Sequence, residues 1–501
     1  MRKPLPNRHW RRLTARPLLA GLALAQLSVP PLRALQADTT FTYSRIPLLT
    51  VCTVDSVMPT YTVTQPDDGT YAIGIKSEHV PGRMTVTLDG RTVYDSGDYV
   101  KGSSGMRLKV RGNSTGANLA QKPYKLKLSV KSDLLRRGNS DFKHKDWALL
   151  SMYVWNTAFP NNQSNLTTMT GLLANRLVGL DWTPQAEFVN LVLNGQYMGL
   201  YYLIETVDKG KTRIDVDKSG YIVENDRQFW NEDLYFRTDR MYEYHGWTYK
   251  YPDEDDVTDS ITTQIRDYIN AFETALYDGS DVSEYIDLSS FARWLLAHDI
   301  LGSTDYHGSN MFVSKKDYVP ASPTSTKLRM PTLWDFDSSF LAGDGNWSNQ
   351  HLFDTYYFPK LLERPEFVAA YIAAWDEVSP TFLQRFQAAY DSILSVYATT
   401  FDESRQFHRT IYPSECPRDF KTQVSEQIEL MAARLTTMEA LVEGLREEAL
   451  GVSSPVVSDG SGQREVFDLS GRRFGDANLS ALPHGIYIVK DGRGNTKKIR
   501  R

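Results

Sequence analysis

The pattern of apolar residues changes near residue 259, and this change restricts the fold more than any other feature of the sequence. Before it, short segments alternate apolar and polar residues between Gly, Asp and Pro, as half-buried strands do. Two breaks are Asp89-Gly90 and Asn194-Gly195, dipeptides that favour tight β-hairpins. After it, amphipathic helical segments dominate, such as SITTQIRDYINAFETALY. The sequence therefore predicts an α+β fold with a β-rich N-terminal part and a helical C-terminal part.

Helices and strands around the later motifs can be placed individually. NLTTMTGLLANRLVG predicts a helix over 165–179, capped by Asn165 or Thr167. SSFARWLLAHDILGS predicts a strongly apolar helix that begins after Asp287. Predicted strands are YIVEND (221–226), MFVSK (311–315) and RMPTLWDFDSSF (329–340).

The N-terminus is typical of an export signal. Residues 1–16 carry six basic residues and no acidic one, and a short apolar stretch and small residues near Ala37 follow. We interpret 1–37 as a cleaved signal peptide, with an uncleaved anchor as the alternative. No later stretch has the length and apolarity of a transmembrane segment.

Charge and cysteine content exclude some classes of protein. The formal net charge is -5, so no overall basic field favours nucleic-acid binding. Two cysteines are too few for a disulfide scaffold, and their wide spacing gives no CxxC metal pair. Cys52 and Cys416 either form one long-range disulfide or are two buried thiols.

Three polar residues follow one another in an order that phosphoryl transfer uses. Asp305 and Asn310 lie in a polar loop after the apolar helix, and Asp335 ends the predicted strand. In protein kinases a loop Asp accepts the proton of the substrate hydroxyl, an Asn five residues later holds a metal, and a strand-end Asp holds the metal on the nucleotide. Asp337 would replace or assist Asp335. The alternative is that these are turn and helix-cap residues.

A basic strand precedes this loop, as nucleotide phosphates require. KPYKLKL places Lys125 and Lys127 on one face of a predicted strand, with Lys122 just before it and Arg111 upstream. The alternative is a solvated strand face. The typical Gly-rich loop of kinases is missing, and no Walker A pattern is present.

The ordered set of motifs resembles the CotH kinase family over roughly residues 106–370. It runs through RGNST, KPYKLKL, WALLSMY, FVNLVLNGQYMGLYYLIE, TDYHGSN and LWDFDSSF. The resemblance implies an atypical, minimal protein-kinase-like fold that uses ATP and Mg²⁺ (or Mn²⁺) to phosphorylate Ser or Thr of partner proteins. Asp305 then resembles the catalytic Asp.

The resemblance also assigns the binding residues. The metal residues would be Asn310, Asp335 and Asp337. The nucleotide residues would be Arg111, Lys122, Lys125 and, where a kinase hinge passes the adenine, Glu205.

Several departures from the kinase pattern leave a second hypothesis open. The predicted helix 165–179 contains no Glu, so the usual Lys–Glu ion pair is not evident. Ser303-Thr304 stands where His-Arg is usual, and the strand-end motif is Asp-Phe-Asp. The alternative to an exported kinase is therefore a catalytically inactive, kinase-like surface protein that serves as an adhesin or structural component.

The C-terminus resembles a sorting domain of type IX secretion substrates. VFDLSGRR, LPHGIYIV and a basic KKIRR end carry this resemblance, and a small Ig-like stabilising module is the alternative. It implies export through the periplasm to the cell surface or medium, the type IX machinery as a partner, and a Bacteroidetes-like source. The expected organisation is a signal peptide (1–37), a β-rich lead-in (38–105), a CotH kinase-like domain (106–450), a linker (451–463) and a sorting-like β module (464–501).

Overall fold

The computed structural model describes residues 46–66, 72–152, 166–241, 245–303, 310–336, 356–413 and 418–449, and the segments 465–468, 472–475, 486–490 and 496–500. The described part is an α+β protein with a β-rich N-terminal half, as predicted. Asp305, Asp337 and Cys416 lie outside the described residues.

The N-terminal half is a closed barrel. Its elements are β1 (Leu48–Thr53), β2 (Tyr61–Thr64), β3 (Gly74–Ser77), β4 (Val80–Leu88), β5 (Arg91–Asp95), β6 (Met106–Val110), α1 (Ser114–Asn118), β7 (Tyr124–Ser132), β8 (His144–Ser151), α2 (Thr167–Val178), β9 (Ala186–Leu193) and β10 (Gln196–Glu205). The sheet order is β1-β9-β10-β8-β7-β6-β4-β5, and β1 also pairs with β4. This last pairing closes the ring, and β2 and β3 form a separate hairpin.

Alternating side chains fill the barrel. Along β7, Leu126 and Leu128 are buried in the barrel core, whereas Lys125 and Lys127 lie on the outer face. The predicted hairpins are confirmed: Asp89-Gly90 joins β4 to β5, and Asn194-Gly195 joins β9 to β10. All four of these residues have positive φ, between 49° and 77°, as type I′ turns require.

The lead-in region contributes strands to this barrel. The sequence left open whether residues 38–105 stand apart or pack on the later region. In the structure β1 pairs in parallel with β9, and β4 pairs with β6. The described part of the lead-in is therefore continuous with the strands that follow it.

The C-terminal half combines a second sheet with long helices. Its elements are β11 (Tyr221–Asp226), β12 (Tyr235–Phe236), β13 (Gly246–Tyr251), α3 (Asp259–Asp278), α4 (Leu288–Leu301), β14 (Met311–Lys315), β15 (Leu328–Arg329), α5 (Phe358–Leu361), α6 (Pro365–Ile411) and α7 (Phe420–Ala449). The sheet order is β12-β13-β11-β14-β15. Helix α4 begins after Asp287 as predicted, and the Asp287 carboxylate caps it by accepting from the Ser290 N–H at 2.8 Å. No helix among the described residues is long and apolar enough to cross a membrane.

Three local predictions are wrong. The strand expected over 329–340 is reduced to β15, and 330–336 continues without a ladder partner. Helix α2 has Leu166 at its N-cap and no side-chain cap. Cys52 is a free, exposed thiol, neither bonded nor buried.

The C-terminal residues form a small β unit, as expected. Its strands are β16 (Glu465–Asp468), β17 (Arg473–Gly475), β18 (Ile486–Lys490) and β19 (Thr496–Arg500), in the order β17-β16-β18-β19. Val466 and Tyr487 are its buried apolar residues among those described. Such a small core is consistent with an appendage.

Candidate active site

A cleft of about 410 Å³ is lined by residues of both sheets. The barrel contributes residues of β6 and β7, and the second sheet contributes residues of β11, β13 and β14. Thr206 and Val207, which directly follow β10, complete the lining where the chain passes from the barrel to the second sheet. We refer to the barrel side and the second-sheet side as the barrel wall and the acidic wall.

The barrel wall presents three cations. Lys109 and Lys125 are directly opposite on β6 and β7, and Arg111 follows the end of β6. Burial lowers the pKa of Lys109, and the like charge of Lys125 lowers it further. Lys125 lies 3.4 Å from a carboxylate oxygen of Asp146 on β8. The acidic partner of Lys125 therefore lies on a neighbouring strand of the barrel. It does not come from the helix predicted over 165–179, which contains no Glu.

Arg111 links the two walls. Its guanidinium lies over the Trp334 ring, 5.6 Å from the centroid. Burial lowers its pKa, while the carboxylates of Asp335 and Glu224 oppose that shift. A cation from the barrel thus faces acidic groups from the opposite wall.

A short loop joins β6 to α1 along the cleft. Residues 112–115, which span this loop and the start of α1, line the cleft. Gly112 has φ 77°, and a Cβ there would lie 2.2 Å from Thr115 Oγ1. A Cβ on Gly116 would lie 2.6 Å from the Arg111 carbonyl oxygen. Both glycines are therefore required by this tight loop, although they match no standard phosphate-binding motif.

The acidic wall is organised around an ion pair that the sequence analysis missed. Glu224 and Asp226 lie two apart on β11 and share a face. Glu224 accepts from Lys250 Nζ at 2.7 Å and from the Asn310 backbone N–H at 3.1 Å. The available signal was the end of YIVEND, where two acids with this spacing close an otherwise apolar strand.

These charges shift the pKa of their neighbours. Burial, followed by repulsion from Glu224, raises the pKa of Asp226 to about 7, although Lys250 opposes this. Burial alone would lower the pKa of Lys250, but Glu224 and Asp226 outweigh it and raise that pKa above its ordinary value. Lys250 therefore remains an ammonium group beside these two acidic side chains.

Asn310 and Asp335 both lie on this wall with left-handed backbones. Their φ values are 64° and 65°. Non-glycine residues hold this conformation at a cost unless their surroundings impose it, and such residues concentrate at functional sites. The structure therefore brings these two predicted metal residues into one cleft with Arg111 and Lys125.

Two predicted nucleotide residues lie elsewhere. Lys122 does not line the cleft: its ammonium donates to the carbonyls of Gly116 (2.9 Å) and Ala117 (3.2 Å) and lies over the Tyr61 ring. Glu205 is fully buried. Its carboxylate lies 2.8 Å from Arg137 Nη1 and accepts from the Gln185 N–H at 3.0 Å.

A second group has metal-ligand chemistry, at the edge of the barrel. Candidate ligand atoms of His144, Asp146 and Asp208 lie within 4.8 Å of one another. Burial and then Asp146 raise the pKa of Asp208 to about 6, whereas burial and then Arg213 lower that of His144 to about 4. Lys125 and Arg213 lie close enough to these acids to compete with a cation for them.

The cleft suits a polyphosphate that carries a divalent metal. Cations on one wall match phosphate oxygens, and carboxylate and amide oxygens on the other are the ligands that hard cations prefer. The CotH kinase protein family model matches residues 108–436, more than half of the chain and both walls of the cleft. The chain belongs to the CotH kinase family. This family is kinase-like, and the match confirms the resemblance seen in the motifs. No curated protein matches the chain.

Proposed function

We propose that this CotH family chain is an ATP- and divalent-metal-dependent kinase that phosphorylates Ser or Thr of a partner protein. The observation that carries the proposal is the opposition of the two walls: Lys109, Arg111 and Lys125 face the wall of Asn310 and Asp335. Kinases use the same two kinds of group: basic side chains bind the nucleotide phosphates, and Asp and Asn side chains hold the metal. The α+β architecture is compatible with a minimal kinase-like fold.

Each residue has a distinct role in this proposal. The barrel-wall cations bind phosphate oxygens, and Asn310 and Asp335 hold Mg²⁺ or Mn²⁺, which neutralises phosphate charge when bound. Asp305 accepts the proton of the attacking substrate hydroxyl, a role assigned from its sequence position alone, and Asp337 assists Asp335. Thr206 and Val207 replace Glu205 as the residues beside the base, because they line the cleft.

The proposed setting is outside the cytoplasm. The basic, then apolar N-terminus supports export with cleavage near Ala37, and the C-terminal unit supports sorting by the type IX machinery to the cell surface or medium. The substrate would then be a surface or secreted protein.

The test is thermal melting of the mature full chain with ATP and Mg²⁺ or Mn²⁺. A ligand that binds only the native state raises the melting temperature. We expect a metal-dependent increase that Asp335→Ala abolishes and that Asp255→Ala, a change of an exposed acid, leaves intact. Asp305→Ala should spare binding and stop transfer to a substrate, because the base acts only in the reaction.

The competing hypothesis predicts a different result. A kinase-like adhesin or structural protein would melt at the same temperature with every nucleotide and metal. That outcome in a well-folded sample would overturn the kinase proposal.

A further inference from the structure

The segment that carries Asp335 lacks the support of a sheet. Strand β15 ends at Arg329, and 330–336 continues without a ladder partner. Asp335 nevertheless has a left-handed backbone, which its surroundings must impose. Helix α2 and the turn after it supply part of the support for this segment, and Ser290 on α4, whose hydroxyl accepts from the Met330 N–H at 3.2 Å, supplies another part.

The first support is a buried amide on α2. Asn175 is fully buried, and its Oδ1 accepts from the Leu333 N–H at 2.7 Å. Its Nδ2 donates to the Trp182 carbonyl at 2.8 Å, so the amide orientation is fixed. The Trp182 N–H in turn donates to the Pro331 carbonyl at 3.0 Å. Two backbone groups of the segment are thus bonded to α2 or its following turn.

The second support is a ring seated on a helical glycine. Gly171 lies four residues before Asn175 and hence on the same face of α2. A Cβ at Gly171 would lie 2.0 Å from Cδ1 of Phe336, which is closer than any real contact. Glycine inside a helix is less favourable than alanine. The position of the Phe336 ring explains why α2 nevertheless has glycine at residue 171. Phe336 directly follows Asp335.

The adjacent Thr170 ties α2 to the long helices. The Thr170 hydroxyl lies 2.6 Å from the Tyr390 hydroxyl on α6 and donates to Gln427 Oε1 on α7 at 3.0 Å. All these groups are buried. Helix α2 is therefore held by the C-terminal helices and holds the Asp335 segment in turn.

We propose that α2 positions the metal-binding Asp335, with Gly171 and Asn175 as its positioning residues. The inference rests on the proposed function for the metal-binding role of Asp335. That α2 holds the segment 331–336 follows from the contacts above alone. In place of an ion pair to the barrel lysine, this helix acts on the acidic wall through a hydrogen bond and a ring contact.

The test compares two glycine-to-alanine changes within helices. Gly171→Ala places a methyl group in the Phe336 ring, whereas Gly444→Ala in α7 meets no atom within 4 Å. Two properties are measured in the full chain: hydrogen exchange of peptides covering 331–336, and metal-dependent ATP affinity. We expect Gly171→Ala to accelerate exchange in that segment and to weaken ATP affinity roughly tenfold, since small misplacements of a site are costly.

A second-site change separates positioning from general damage. Phe336→Leu replaces the rigid ring by a smaller side chain that can rotate away from the added methyl group, so in the Gly171→Ala background it should restore much of the protection and affinity. Equal exchange and affinity in the two alanine variants would overturn the inference, as would a failure of Phe336→Leu to restore either property. If the wild-type chain binds no nucleotide, the proposed function fails, and the exchange data alone decide whether α2 holds the segment.

Discussion

The two walls of the cleft obtain their charges by different structural means. On the barrel wall, Lys109 and Lys125 point outward from paired strands whose other faces fill an apolar core. On the acidic wall, Asn310 directly precedes β14 and Asp335 lies in the segment after β15, and both have left-handed backbones. Regular strand alternation places the cations, whereas individual contacts place the oxygen ligands. The acidic wall is therefore the more sensitive to single substitutions.

The largest expected effect comes from Glu224→Ala. This change removes the ion-pair partner of Lys250 and the acceptor of the Asn310 N–H. Because the Glu224 side chain is only 12% exposed, we expect the free energy of unfolding to fall by about 3 kcal/mol. Denaturant unfolding measures it.

Glu232→Ala is the matched control, because this exposed acid also lines the cleft. It should change stability by less than about 0.5 kcal/mol. Equal losses in the two variants would mean that Glu224 acts only through its charge.

Substitutions on the barrel wall should lower ATP affinity more than they lower the free energy of unfolding. Lys125→Met removes a phosphate-facing cation whose side chain is 38% exposed. We expect metal-dependent ATP affinity to fall about tenfold and stability to change by less than about 1 kcal/mol. Titration calorimetry measures the affinity. The control is Lys127→Met, on the same face of β7 but outside the cleft lining, which should leave ATP affinity unchanged. An equal loss of ATP affinity in this variant would mean that the general positive charge of the strand attracts ATP, without a specific contact from Lys125.

Asp226 should make stability depend on pH. Its pKa is about 7 in the folded chain, against an ordinary value of 3.8. Between these two values the folded state retains a proton that the unfolded state has released, so stability falls as pH rises through that window.

Asp226→Asn should flatten this dependence and add about 1 kcal/mol at pH 8, with no gain near pH 4. Unfolding curves at several pH values measure it, with Asp255→Asn as the surface control. A profile that keeps the wild-type slope would exclude Asp226 as its source.

Lys122 should have the smallest effect. Lys122→Met loses two hydrogen bonds to carbonyls of α1, which lowers the free energy of unfolding by about 1 kcal/mol. Its ammonium does not line the cleft, so ATP affinity should stay the same. Reduced affinity would instead restore the prediction that Lys122 faces the phosphates.

The features that could be predicted from the sequence are those that short local patterns determine, namely tight hairpins and the faces of strands. Asp-Gly and Asn-Gly set their hairpins through backbone preferences alone, and alternation placed Lys125 on an outer face. Lys122 precedes β7, so strand alternation does not predict its direction, and it lies outside the cleft lining.

The missed features depend on distant contacts. Glu224 was overlooked because its partner Lys250 lies on another strand. The strand predicted around Asp335 is absent because its segment bonds to α2 and the turn after it, which no local pattern reveals.

The closed barrel also has a consequence for how the chain must assemble. Strand β1 completes the ring, with Leu48 opposite Asn190 on β9 and opposite Thr87 on β4. Such long sequence separations slow folding, and the ring stays open until β10, which joins β9 to β8, has been synthesised. A shortened chain that began at residue 108, where the family match starts, would lack β1 and β4. It would expose the unpaired edge of β9, an apolar strand prone to pairing with other chains. The upstream residues therefore protect the barrel from aggregation as well as completing it.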